Sequence, residues 1–208
     1  MVERQPRLLF SLDATASRAP TWAYASKLQR DMFIAAHGNN LAVQLCYYRG
    51  ASEFHASPWL TRTEDLLQHM AAVQCAPGAT QIGKLIRHYL AAGSVATPVR
   101  ALIFIGDAVE ENSGQLFDLA ARCRIKGQPL FIFQEGFDSS VADVFRQLAV
   151  LSGGAYAQFD NSSAEFLRDL LSSVARFASG GRKALTQSGR DSDKLLLSQL
   201  QQSDSCQN

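Results

Sequence analysis

Apolar residues run along this chain in two rhythms. Near-continuous stretches, "RLLFSLD" (7–13), "LAVQLCYYRG" (41–50), "VRALIFIGD" (99–107) and "QPLFIFQEG" (128–136), predict strands buried on both faces. Two shorter runs, "SEFHAS" (52–57) and "AYAQFD" (155–160), complete a set of six strands. Between them, apolar positions recur at helical spacing over 21–38, 58–74, 81–93, 113–127, 139–154 and 162–179. Pro20 and Gly38 punctuate the first of these helices, Gly127 closes the fourth, and a Ser-x-x-Glu capping box from Ser162 to Glu165 opens the last.

Strands alternating with helices predict an α/β fold: a doubly wound, Rossmann-like, mostly parallel six-stranded sheet with helices on both faces. The few residues around Gly50 between the second and third strands permit only a hairpin, so the third strand is an antiparallel edge. Residues 180–208, rich in Ser, Gln, Asp and Lys, predict a flexible polar C-terminal tail, with "DKLLLSQLQ" as either a frayed turn or a short docking helix.

Composition narrows the function classes. Of 208 residues, 47% are hydrophobic and 19% charged, and the formal net charge is +1. That balance excludes a whole-chain field for nucleic acid or a membrane surface. No run approaches the ~18 apolar residues of a membrane span, so a cytoplasmic protein is expected. Cys46, Cys75, Cys123 and Cys206 have no C-x-x-C spacing and read as buried free thiols. His37, His55, His69 and His88 lack zinc spacing and read as structural or surface residues. Trp22 and Trp59 are placed at helix starts as core or edge packing.

The chemistry gathers at strand ends. With order 3-2-1-4-5-6, the topological switch point lies between the first and fourth strands, and ligands bind beyond their carboxyl ends. Asp13 and Asp107 end those two strands. Thr15 and Ser17 follow in "DATAS", and Thr80 stands in the loop "PGATQIG" ahead of a helix. All five offer hard oxygen, which suits Mg²⁺, Mn²⁺ or Ca²⁺ over zinc and leaves a coordination position for an outside oxygen. Neutral hydroxyls donate little charge, so such a cation stays electrophilic and seeks an anionic oxygen. The competing reading is that Asp13, Thr15 and Ser17 cap the first helix.

D-x-T-x-S after the first strand, "GATQIG" before a helix and "LIFIGD" ending a later strand resemble the three loops of the metal-ion-dependent adhesion site (MIDAS) of the von Willebrand factor A (vWA) domain. The resemblance covers roughly 7–178 and makes 1–179 a vWA-like domain. It implies direct metal binding by Thr15, Ser17 and Thr80, water-mediated binding in part by Asp13 and Asp107, and a partner protein that supplies a carboxylate. The third loop departs from the family's Thr-Asp-Gly: Gly106 and Ala108 flank Asp107. Glu110 and Glu111 read as a solvated acidic loop or as a partner-facing rim that disfavours wrong partners.

The expected function is therefore a metal-dependent protein-binding module without catalytic residues. Two alternatives stand beside it. "LDATAS" and "IGDAVEE" also resemble motifs of haloacid-dehalogenase phosphotransferases, with Asp13 as nucleophile. Thr15 occupies the place of their second aspartate, and Lys84 is the nearest, poorly placed, counterpart of their lysine. The altered third loop also fits a scaffold whose metal site has degenerated.

Overall fold

In a computed structural model, residues 5–18, 41–94, 96–160 and 162–205 are described. The helix expected over 21–38, with Trp22, lies outside them.

Six strands form one sheet in the order β3-β2-β1-β4-β5-β6. They are β1 (Arg7–Asp13), β2 (Ala42–Arg49), β3 (Glu53–Ala56), β4 (Val99–Gly106), β5 (Leu130–Glu135) and β6 (Ala155–Phe159). All neighbours pair in parallel except β2 and β3, which pair antiparallel from Cys46↔Ala56 to Arg49↔Glu53. The helices are α1 (Thr63–Ala71), α2 (Ile82–Ala92), α3 (Ser113–Ile125), α4 (Ser139–Ser152), α5 (Ala164–Ser188) and α6 (Asp191–Ser205), with a short 3₁₀ turn at Ala16–Arg18.

Alternation within the strands divides the core. Leu8, Phe10 and Leu12 of β1 and Ala101, Ile103 and Ile105 of β4 face α1, α5 and α6. Leu9 of β1 and Leu102 and Phe104 of β4 face α2, α3 and α4. Burial on both sides explains why these strands read as continuous apolar runs. Pairing of β1 with β4 slips by one between Arg7 and Leu8, so that Arg100 is the extra residue on β4.

Several sequence expectations differ from the structure. The helix predicted over 58–74 is confined to α1. Leu60 instead exchanges backbone hydrogen bonds with Val43 at 2.7 and 2.8 Å, continuing the β2 edge beyond β3. Trp59 thus lies in extended chain, with the Arg7 guanidinium over its ring. The capping box is absent as drawn: Ser163 is the N-cap of α5 and makes no side-chain cap bond. The turn is organised by Asp160, whose Oδ1 accepts from Ser162 N–H and from the hydroxyls of Ser162 and Ser163.

The segment expected as a flexible tail is helical and docked. α5 continues to Ser188 through a kink at Gly181, where φ is +66°. α6 buries Leu196 and Leu200 in the core, burial that stabilises by about 1.5–3 kcal/mol for each leucine. It also caps the open edge of the sheet: Tyr156 N–H donates to Gln199 Oε1 at 2.8 Å, and Ser203 Oγ donates to the Gly154 carbonyl at 3.3 Å. One backbone group of β6 and one of the residue just before it therefore bond side chains, which blunts an edge otherwise open to strand addition.

Candidate metal centre

The carboxyl ends of β1 and β4 lie side by side, Leu12 opposite Ile105, so Asp13 and Asp107 leave the sheet as neighbours. Asp13 is fully buried. Its Oδ1 accepts from Thr15 N–H at 2.8 Å, which folds the D-x-T stretch into a tight turn. Its Oδ2 accepts from the Tyr48 hydroxyl at 3.0 Å, a group delivered by the adjacent position of β2. Thr15 Oγ1 and Ser17 Oγ share a hydrogen bond at 3.1 Å; Thr15 is buried and Ser17 exposed. Whether these residues also cap the helix expected over 21–38 falls outside the described residues.

Backbone contacts bring the second loop to the first. Thr15 forms a parallel bridge with Ala76, and Ala76 N–H donates to the Ala14 carbonyl at 3.1 Å. Gly78 sits directly on the β2–β3 turn, where a Cβ would collide with the Gly50 carbonyl. Thr80, also buried, is joined to the third loop reciprocally. Glu110 N–H donates to Thr80 Oγ1 at 3.0 Å, and Thr80 N–H donates to Glu110 Oε2 at 3.0 Å.

Sequence reasoning missed the role of the neighbouring glutamate. Glu111 Oε2 accepts from Ile82 N–H at 2.6 Å and Oε1 from Gly83 N–H at 2.8 Å. It therefore supplies the N-terminal cap that α2 lacks from its own sequence, since Gln81 makes no side-chain cap bond. A Cβ at Gly83 would approach Glu111 Oε1 to 3.1 Å, so glycine gives the carboxylate room. Glu110 is exposed and Glu111 half-buried, and both carboxylates are engaged by backbone amides of residues 80–83. The signal was available, because a helix that opens on Gln-Ile-Gly needs a cap from elsewhere.

The electrostatics of the site are one-sided. Burial raises the Asp13 carboxyl above its ordinary value; hydrogen bonds from Thr15 and Tyr48 oppose the rise and the neighbouring Asp107 charge adds to it. Tyr48, wholly buried, is pushed well above the usual phenol value by burial and by the charges of Asp13, Glu111 and Asp107. Asp107 Oδ1 is buried without a hydrogen-bond partner. Among the described residues, no Lys or Arg forms an ion pair with either aspartate. No group of three or more His, Cys, Asp or Glu side chains that could hold a metal occurs among them. The set at this end of the sheet instead combines two carboxylates with three hydroxyls, a donor chemistry that fits a hard divalent cation.

The departure at Gly106 has a steric cause. A Cβ there would come within 2.6 Å of the Phe104 ring. That ring packs between Tyr48 and Phe145, with centroids at 6.3 and 5.6 Å. Space that a threonine side chain would take is filled from within the same strand.

Other candidates resolve into structure. Lys84 is far from a nucleophile's counter-ion role: its Nζ donates to the Ser52 carbonyl at 2.9 Å and lies over Phe54. Cys46 and Cys123 are buried, and burial pushes each thiol up to about 12. His88 bonds Gln44 at 2.8 Å, and His55 stacks on Tyr47. A cavity of about 580 Å³ lies at the opposite end of β4 and touches none of the five oxygen-bearing residues.

No protein-family model and no curated protein matches the sequence. Solved structures do resemble it. One is the conserved hypothetical protein BatB from Bacteroides thetaiotaomicron, at 16% identity over 78% of this chain and 95% of that one, with a TM-score of 0.63. Another is the VWA domain of SpRpn10, at 12% identity over 79% and 94%, with a TM-score of 0.62. A third is proximal thread matrix protein 1 from the mussel byssus with a zinc-occupied MIDAS motif, at 14% identity over 84% and 46%, with a TM-score of 0.61. The chain has the von Willebrand factor A fold.

Proposed function

We propose that this chain is a metal-dependent protein-binding module rather than an enzyme, and that Asp13, Thr15, Ser17, Thr80 and Asp107 hold a divalent cation in the manner of a MIDAS. The observation that carries this reading is the pairing of two aspartates beside each other, one of them fully buried, with an Asp107 oxygen lacking any hydrogen bond and no Lys or Arg ion pair to either among the described residues. Burying ionised carboxylates without compensation is costly, and a divalent ion removes that cost. The zinc-occupied MIDAS of the mussel protein supports a divalent site on this fold. Mg²⁺ is the ion we assign, with Mn²⁺ or Ca²⁺ as the alternatives that an all-oxygen donor set also admits.

A bound cation would act as a Lewis acid that attracts a carboxylate oxygen from a protein partner. Two aspartates balance a divalent charge, so one further carboxylate is accommodated without a large excess of negative charge. Glu110 and Glu111 fix the Thr80 loop through its backbone amides, and the exposed Glu110 also stands at the rim that a partner would meet.

Affinity capture in Mg²⁺ or in EDTA tests the proposal. Retained protein partners should be released by EDTA and lost in Asp13→Ala and Thr80→Ala, with both variants still folded by circular dichroism. Capture that persists in EDTA sinks the role of the ion. Release of phosphate from a generic phosphoester, abolished in Asp13→Asn, would favour the phosphotransferase instead.

A further inference from the structure

Five large apolar side chains are exposed among the described residues: Ile125, Phe137, Val150, Phe166 and Leu195. The two aromatic ones stand at the carboxyl end of the sheet, the end that carries Asp13 and Asp107. Phe137 follows β5, and Phe166 is the third residue of α5, just beyond β6.

Phe137 is 66% exposed on a loop that is otherwise fastened at each step. Gln134, fully buried, donates from Nε2 to the Asp138 carbonyl at 2.9 Å. Gly136 N–H donates to the Phe159 carbonyl at 2.9 Å. Asp138 Oδ1 caps α4, accepting from Ser140 N–H at 2.8 Å, Ser140 Oγ at 2.6 Å and Val141 N–H at 3.3 Å. The backbone on both sides is thus fixed while the ring stands in water. A rigidly presented aromatic has little freedom left to lose on binding, which is the property of an interface anchor.

Register sets its distance from the candidate metal centre. Gly106 pairs with Gln134, so Phe137 lies one strand over from Asp107 and two residues further along the chain. With strands about 4.8 Å apart, β5 is displaced about 7 Å from the gap between β1 and β4. The two residues of chain add up to about 7 Å at right angles to that, a separation of about 7–10 Å, which two or three residues of extended peptide span.

We propose that Phe137 is a specificity-determining contact for the partner: the site takes a peptide segment whose carboxylate meets the cation and whose apolar side chain, two or three residues away, packs on Phe137 and reaches toward Phe166. This rests on the metal-dependent reading above. The carboxylate alone is common to any acidic surface; the second contact discriminates among acidic partners.

The test is a random heptapeptide display selection on the immobilised full chain in Mn²⁺, with elution by EDTA. Eluted peptides should be enriched in Asp or Glu with Phe, Trp, Leu or Ile two or three positions away. A selected peptide should bind Phe137→Ala at least five-fold more weakly, while the rise in melting temperature that Mn²⁺ gives that variant equals that of the parent. EDTA-released acidic peptides without apolar enrichment, or equal affinity for Phe137→Ala, overturn the role of Phe137 and leave the metal module standing. Absence of both EDTA-released peptides and a Mn²⁺-induced rise overturns the two together.

Discussion

Two buried aspartates in this molecule are treated in opposite ways. Asp193, at the start of α6, is fully buried, and Arg176 of α5 meets its Oδ1 with Nη2 at 2.7 Å and Nε at 3.2 Å. Asp13 is equally buried, but among the described residues the charge that acts on it is another carboxylate, Asp107. Each region leaves one carboxylate oxygen without a hydrogen bond, on Asp193 and on Asp107. The difference is therefore charge, not hydrogen bonding. Where a carboxylate serves the docking of a helix, the chain supplies its own guanidinium. Where β1 and β4 end, the described residues supply hydroxyls, an amide and a phenol, all neutral. The contrast teaches why the second site, and not the first, carries the proposal of an external cation.

The contrast can be broken at its compensated end first. Arg176→Met strands the Asp193 charge in the core and should destabilise by about 3–5 kcal/mol, read as a lower urea midpoint. Its effect should be the same in Mg²⁺ and in EDTA, since α6 lies away from the switch point.

At the uncompensated end the sign should invert. In EDTA, Asp107→Asn removes a like charge beside Asp13 and should stabilise by about 1 kcal/mol. The parent chain should gain about 2.7 kcal/mol at an Mg²⁺ concentration of 100 times its Kd, and the variant should lose that gain. Thermal denaturation with and without the ion checks both. A destabilised variant in EDTA would mean that Asp107 is already compensated.

An effect smaller than the metal-dependent gain should come from the clasp between the regions of the site. Glu111→Ala uncaps α2 and should cost about 1–2 kcal/mol in either buffer. Because Glu110 and Glu111 hold the segment that carries Thr80, the Mg²⁺-dependent rise should shrink as well, whereas an isolated helix cap would leave it untouched.

Much of this architecture was legible in the sequence because it is written in local pattern. The apolar run 7–13 coincides with β1, and the few residues around Gly50 fix the antiparallel β2–β3 pair. Asp13 and Asp107 become neighbours through strand order alone. What was not legible depends on side chains that meet across long separations. Glu111 caps a helix that begins 29 residues earlier in the chain, at Ile82, so its charge reads locally as surface. The docking of α6 is disguised by its polar contacts: Asp193 and Ser203 are buried among serines and glutamines that resemble a solvated tail, and only Leu196 and Leu200 mark the inner face. The start of α5 was misassigned because Ser162 and Glu165 match a capping pattern, while Asp160, two residues earlier, takes the bonds.

The clash beneath Gly106 extends beyond this one chain. Positions 104 and 106 lie on the same side of β4 and share one volume, so an aromatic ring at the first excludes a β-carbon at the second. A form with threonine at 106 would have to move the Phe104 ring or replace it, and Tyr48 and Phe145 would then lose a ring neighbour. A single-residue graft of threonine at 106 would therefore press on the Phe104 ring, and a smaller residue at 104 would relieve it.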